Sequence, residues 1–186
     1  MSVIIQPEQL DSMSAGLFRD HLFVPSSTIF LAGEINQQMA DQLAKGLHLL
    51  GFAGEPITIY LNSFGGSKTA GLGIFDLIRA CPLAVKIIGY GAIVSTAVIV
   101  LQAGDERVLG ANTEFMIHPG HSSTGEDLDE NTARTAKACV QIRDRYYKIL
   151  ADQMGLSVRE MNSKYGYNTW LSPKAAVKIG LADSIL

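Results

Sequence analysis

Apolar and polar positions fall into short β-branched runs separated by stretches of helical period. Residues 28–32 (TIFLA) read as a strand stopped by Gly33. Asn36 then caps a helix to about Leu50, with Met39, Leu43, Leu47 and Leu50 on one face. Residues 57–61 form the next strand. A helix from about Lys68 to Ala80 follows, closed by Pro82. The stretch VKIIGYGAIVSTA at 85–97 begins as a buried strand, breaks at Gly89 and Gly91, and resumes as a helix-compatible apolar run to Leu101. Short strands are expected at 107–109 and 114–117. A Gly, Ser and acid-rich loop spans 119–128. The longest helical pattern runs from Asp129 to Met154, with Val140, Tyr147 and Leu150 at helical spacing, and Gly155 stops it. Ser157 and Glu160 match a capping box. Ser172-Pro173 opens a last helix that Gly180 ends. Strands alternating with helices predict an α/β fold with mostly parallel strands. The 129–154 helix is too long and alanine-rich for a covering helix, so it is expected to project or to mediate assembly.

Composition narrows the class. The 186 residues fit one domain, with residues 1–27 as an irregular arm and 28–186 as the body. The arm's apolar points, Leu17, Phe18, Leu22 and Phe23, suggest docking on the body or on a neighbouring subunit. A net charge of −3 and the lack of a basic cluster argue against nucleic acid as a partner. Cys81 and Cys139 show no metal spacing and read as small core residues of a reducing compartment. No apolar run approaches the ~20 residues that span a bilayer. The residues at the start of the chain do not resemble a signal peptide, so the expected location is cytoplasmic.

Candidate chemistry centres on Ser95, a hydroxyl among apolar neighbours. Such a group needs a hydrogen-bonding reason to be there. It is either a helix N-cap, which on this stretch alone is the commoner outcome, or a nucleophile whose oxyanion is held by amides at the same helix start. Asn62-Ser63-Phe64-Gly65-Gly66 follows a strand and precedes a helix. Its paired glycines make a tight turn, or turn backbone amides outward to hold an anion. His118 ends an apolar strand, as a rim histidine or as a base. His118 with His121 lacks a third metal ligand, so no metal site is expected. There is no Walker loop, no GxGxxG and no GxSxG.

Taken in order, five segments carry a resemblance. They are IYLNSFGG at 59–66, GAIVS at 91–95, FMIHP at 115–119, WLSPKAA at 170–176 and GLADSIL at 180–186. Together they resemble the proteolytic subunit of the Clp protease family, ClpP-like serine peptidases, over about residues 28–186. The resemblance implies Ser95 as nucleophile, His118 as general base, and the amides of Gly66 and Thr96 as oxyanion hole. Asn168 falls where the family usually has the triad aspartate. Thr96 stands for a methionine and Phe64 for a proline, and the glutamine that usually follows the histidine is missing. The arm departs from the family pattern, and in the family this region meets the partner ATPase.

The resemblance further implies a ClpP/crotonase-like fold of repeated ββα units with a protruding helical handle at about 119–156. It implies a homo-oligomer of two stacked heptameric rings, a tetradecamer, taking polypeptide substrates. No cofactor is implied in this chain; ATP would be used only by a partner AAA+ unfoldase. Asn168 can still accept the imidazole Nδ1–H through its carbonyl, as in Cys-His-Asn proteases, but it lacks the aspartate's charge. Reduced or conditional activity is therefore expected. A catalytically silent architectural subunit and a crotonase-like acyl-CoA enzyme are the alternative readings.

Overall fold

In a computed structural model, residues 22–23, 27–51, 54–118 and 130–186 are described. The expectations for Leu17, Phe18, His121 and the 119–128 loop lie outside these residues. The architecture is mixed α/β, as the alternation of patterns predicts. Strands are β1 (Leu22–Phe23), β2 (Thr28–Ala32), β3 (Ile57–Ser63), β4 (Val85–Val94), β5 (Glu106–Leu109), β6 (Glu114–Ile117), β7 (Thr169–Leu171) and β8 (Ser184–Ile185). Helices are α1 (Gln37–Gly51), α2 (Lys68–Arg79), α3 (Thr96–Leu101), α4 (Glu130–Met154), α5 (Val158–Tyr165) and α6 (Pro173–Lys178).

The sheet runs β1-β2-β3-β4-β5-β8, and β6 leaves this path by pairing with β4 and β7. Pairing is parallel from β2 to β8 and from β4 to β6. Among the described residues it is antiparallel only for β1–β2 and β6–β7. The caps form as their residues dictate. Asn36 Oδ1 accepts from the Met39 N–H at 3.0 Å, and Ser157 and Glu160 complete a capping box. Gly155, at φ 65°, ends α4.

One expectation is corrected. The strand beginning at Val85 does not stop at the glycines; β4 continues to Val94. Its first half pairs with β5 and its second half with β6. Between the halves the register against β3 shifts, from Leu61↔Gly89 to Ser63↔Ile93. The Asn62 side chain fills this bulge and accepts the Ala92 N–H at 3.0 Å. A Cβ on Gly91, at φ +65°, would lie 2.8 Å from Asn62 Oδ1. The glycines therefore bend the strand from one partner to another.

The core lies between the sheet and the helices. All six residues of α3 are buried, so it is a helix apolar all round, in the centre of the molecule. In α4, Arg134, Lys137, Val140 and Gln141 are exposed, whereas Tyr146, Tyr147, Leu150 and Ala151 are buried. Its C-terminal half packs on the body. Cys81 and Cys139 are free thiols and half-buried, less enclosed than core residues.

Candidate active site

Ser95 occupies the turn between β4 and α3. Its backbone has φ 59° and ψ −122°, and its side chain makes no cap hydrogen bond. The capping explanation for this hydroxyl is thereby removed. A non-glycine residue in this region costs about 1–3 kcal/mol, and such strain clusters at functional sites. Strained strand-to-helix turns present an exposed hydroxyl in hydrolases of other folds. The Ser95 N–H donates to Met116 O at 2.9 Å, which ties the turn to β6.

Register brings the other candidates to the same edge. Val94 pairs with Met116 in parallel strands. Ser95 and His118 therefore follow the C-terminal ends of neighbouring strands. Ile117 pairs with Thr169 in the antiparallel β6–β7 ladder. Continuing that register by one residue sets His118 opposite Asn168. His118 is half-buried and Asn168 exposed.

The paired glycines lie on the remaining side. Gly65 and Gly66 have φ +98° and +147°, a conformation that side chains rarely adopt. A Cβ on Gly65 would stand 2.7 Å from Ser95 Cβ and 3.0 Å from Thr96 N. The turn is thus pressed against the start of α3. Gly65 O accepts from Ile35 N–H at 2.9 Å, and Ser67 N–H donates to Ile35 O at 2.7 Å. Gly66's own peptide groups consequently face the other side, where its carbonyl accepts from Thr96 Oγ1 at 3.1 Å. Ser63 Oγ accepts from Gly65 N–H at 2.9 Å and braces the turn. A hollow of about 400 Å³ beside it is lined by Gly33, Glu34, Asn62, Ser63, Phe64 and Gly65. Phe64 is 71% exposed at its rim.

Comparison with known proteins gives the arrangement its family. The Clp protease family model matches residues 18–186. The chain belongs to the Clp protease family. It is 33% identical over 167 residues to ATP-dependent Clp protease proteolytic subunit 2 of Treponema denticola, covering 88% of this chain and 83% of that protein. It is 30% identical to the ATP-dependent Clp protease proteolytic subunit of Streptococcus suis, covering 85% and 83%. Among solved structures, an asparagine-to-aspartate mutant of ClpP1 from Listeria monocytogenes superposes with a TM-score of 0.78 at 29% identity. The superposition covers 94% of this chain and 95% of that one. The fold is accordingly that of the Clp proteolytic subunits.

Against this Clp fold, sequence reasoning missed one neighbour of the site. Tyr146, from the packed half of α4, donates from its hydroxyl to Lys68 O at 3.2 Å and meets the Thr96 hydroxyl. Burial pushes its phenol up to about 12, partly offset by the hydrogen bond with Thr96. The signal was a tyrosine pair at the start of a run spaced Tyr146, Leu150 and Tyr147, Ala151. Periodicity marks such residues as core without showing what their hydroxyls reach. No cluster of three or more metal-ligating side chains occurs among the described residues.

Proposed function

We propose that this Clp-family chain is a serine endopeptidase in which Ser95 is the nucleophile. Ser95 Oγ attacks a peptide carbonyl while His118 takes its proton at Nε2. The oxyanion accepts hydrogen bonds from the Gly66 and Thr96 N–H groups, worth on the order of 3 kcal/mol each. His118 then protonates the departing amine. Water, deprotonated by His118, releases the acyl group from Ser95. The Asn168 carbonyl accepts the Nδ1–H of His118 and selects the tautomer with a basic Nε2. No metal or other cofactor enters these steps.

The observation that carries this reading is the backbone of Ser95, strained and without a cap bond, beside strand ends that lead to His118 and Asn168. The decisive experiment is hydrolysis of small fluorogenic peptides by the purified oligomer. Wild type turns over and Ser95→Ala does not; equal rates would contradict the proposal.

The architectural alternative draws support from Asn168 and from the divergence of the arm. The Ser95 strain weighs against it, since a subunit without catalysis gains nothing from holding a serine there. Nothing in the site favours the acyl-CoA alternative.

The assembly belongs to the same proposal. Substrates are unfolded polypeptides or short peptides, and fourteen copies in two stacked heptameric rings enclose the sites in the cytoplasm. The projecting half of α4 is the handle between rings. Among the described residues no helix is long and apolar enough to cross a membrane. An aromatic row supports docking of a AAA+ unfoldase. Phe30 stacks on Tyr60 with centroids 5.3 Å apart, and Tyr60 meets Tyr90 edge-on at 6.3 Å. Phe30 of β2 and Tyr90 of β4 are both exposed on the open face of the sheet.

A further inference from the structure

We infer that Tyr146 is a positioning residue for the oxyanion-binding turn, acting on it through the Thr96 hydroxyl and the Lys68 carbonyl. The inference rests on the serine-peptidase reading above and adds a residue to it. The turn carries two consecutive glycines at positive φ, the backbone with least restraint of its own. It needs an external hold if its amide is to meet a developing oxyanion within the narrow donor distance of about 2.7–3.1 Å.

The hold is visible in the hydrogen bonds. Thr96 Oγ1 donates to Gly66 O at 3.1 Å, and the Tyr146 hydroxyl donates to Lys68 O at 3.2 Å. The phenol oxygen is also an acceptor for the Thr96 hydroxyl, whose single proton is shared between it and Gly66 O. Two hydroxyl protons thus serve two carbonyls that flank Ser67, one on each side. Thr96 is fully buried and Tyr146 is 8% exposed, so water does not compete freely for these bonds. The packing is tight enough to require a glycine on the facing helix. A Cβ on Gly71 of α2 would lie 2.1 Å from Thr96 Cγ2 and 3.0 Å from the Tyr146 hydroxyl. At this point α2, α3 and α4 converge on the turn. Thr96 has two tasks: its amide is an oxyanion donor, and its side chain anchors the other donor. The phenol, well above its ordinary value, remains protonated across the working pH range and keeps its proton to donate.

Tyr146→Phe keeps the ring and removes the hydroxyl. With peptide substrates kcat should fall about tenfold while KM stays within about twofold, because a loosened oxyanion donor is felt in the transition state. Thr96→Val should lose a similar factor, Thr96→Ser should retain most of the rate, and Tyr146→Phe with Thr96→Val should cost little more than either alone. Amide hydrogen exchange over residues 62–71 should quicken about tenfold in Tyr146→Phe, with the rest of the chain unchanged. An unchanged kcat, a loss confined to KM, or fully additive losses would overturn the inference. If wild type proves inert and Ser95 unreactive, the peptidase reading fails by itself. Exchange then decides on Tyr146: unaltered protection of the turn rejects the hold.

Discussion

Ser95 takes φ 59° although a β-carbon is disfavoured there, and glycine would take the same conformation without strain. Replacing it separates stability from chemistry. Ser95→Gly should be more stable than Ser95→Ala by about 1 kcal/mol in denaturant unfolding, with both inactive. Equal midpoints would mean that the turn is not strained. Asn168 poses the complementary question. Removing the aspartate's charge from a trypsin-like triad lowers turnover about 10⁴-fold. If the missing charge limits this chain, Asn168→Asp raises kcat at least about tenfold; an unchanged or lower rate would show a site tuned to asparagine. Residues of this kind were unequally legible. Ser95 stood out as a hydroxyl in an apolar run, yet its cap and nucleophile readings separated only once φ was known. Asn168 carries no local signal and was found through resemblance. Tyr146 was hidden because its partners, Lys68 and Thr96, are remote in sequence.

Strand and helix order follows from periodicity because period 2 and period 3.6 are local properties. The misreading of 85–94 has the same origin. Gly89 and Gly91 are local strand breakers, but Asn62, thirty residues before Ala92, fills the bulge and keeps the strand going. The C-terminal elements show a second long-range hold. Arg107 donates to Asp183, Gln102, Gln153 and Gly180 O, joining β5 to α4 and to the chain end before β8. The Arg107 hydrogen bond holds the Asp183 carboxyl below the usual carboxylate range, with burial opposing it. A lowered folded-state value means stability that is present above the unfolded value, about 3.9, and lost as pH falls through the folded one. The melting advantage of wild type over Asp183→Asn should therefore be level from neutral pH to about 5 and shrink below about 4. An advantage that grows in acid would contradict this assignment.

For the whole molecule, the features that a single chain leaves unexplained point outward. Arg134, Lys137 and Val140 of α4 are exposed, and Phe30, Tyr60 and Tyr90 form an aromatic row on the open face. Stacked heptameric rings would cover the first and leave the second for a partner. Native mass should then be about 280 kDa, fourteen times the chain's 20.0 kDa, and a monomer or dimer would refute the enclosure. The length of the 129–154 pattern hinted at assembly, but ring number and partner are not legible in periodicity, since a surface that meets another copy reads like any half-apolar face. The central claim, however, lies in the hydroxyl at position 95, and covalent capture tests it most directly. Treated with a fluorophosphonate and digested, the wild-type protein should carry a single adduct on the peptide containing Ser95, strongly reduced in His118→Ala. An adduct of equal yield in Ser95→Ala, or none in wild type, would contradict the account.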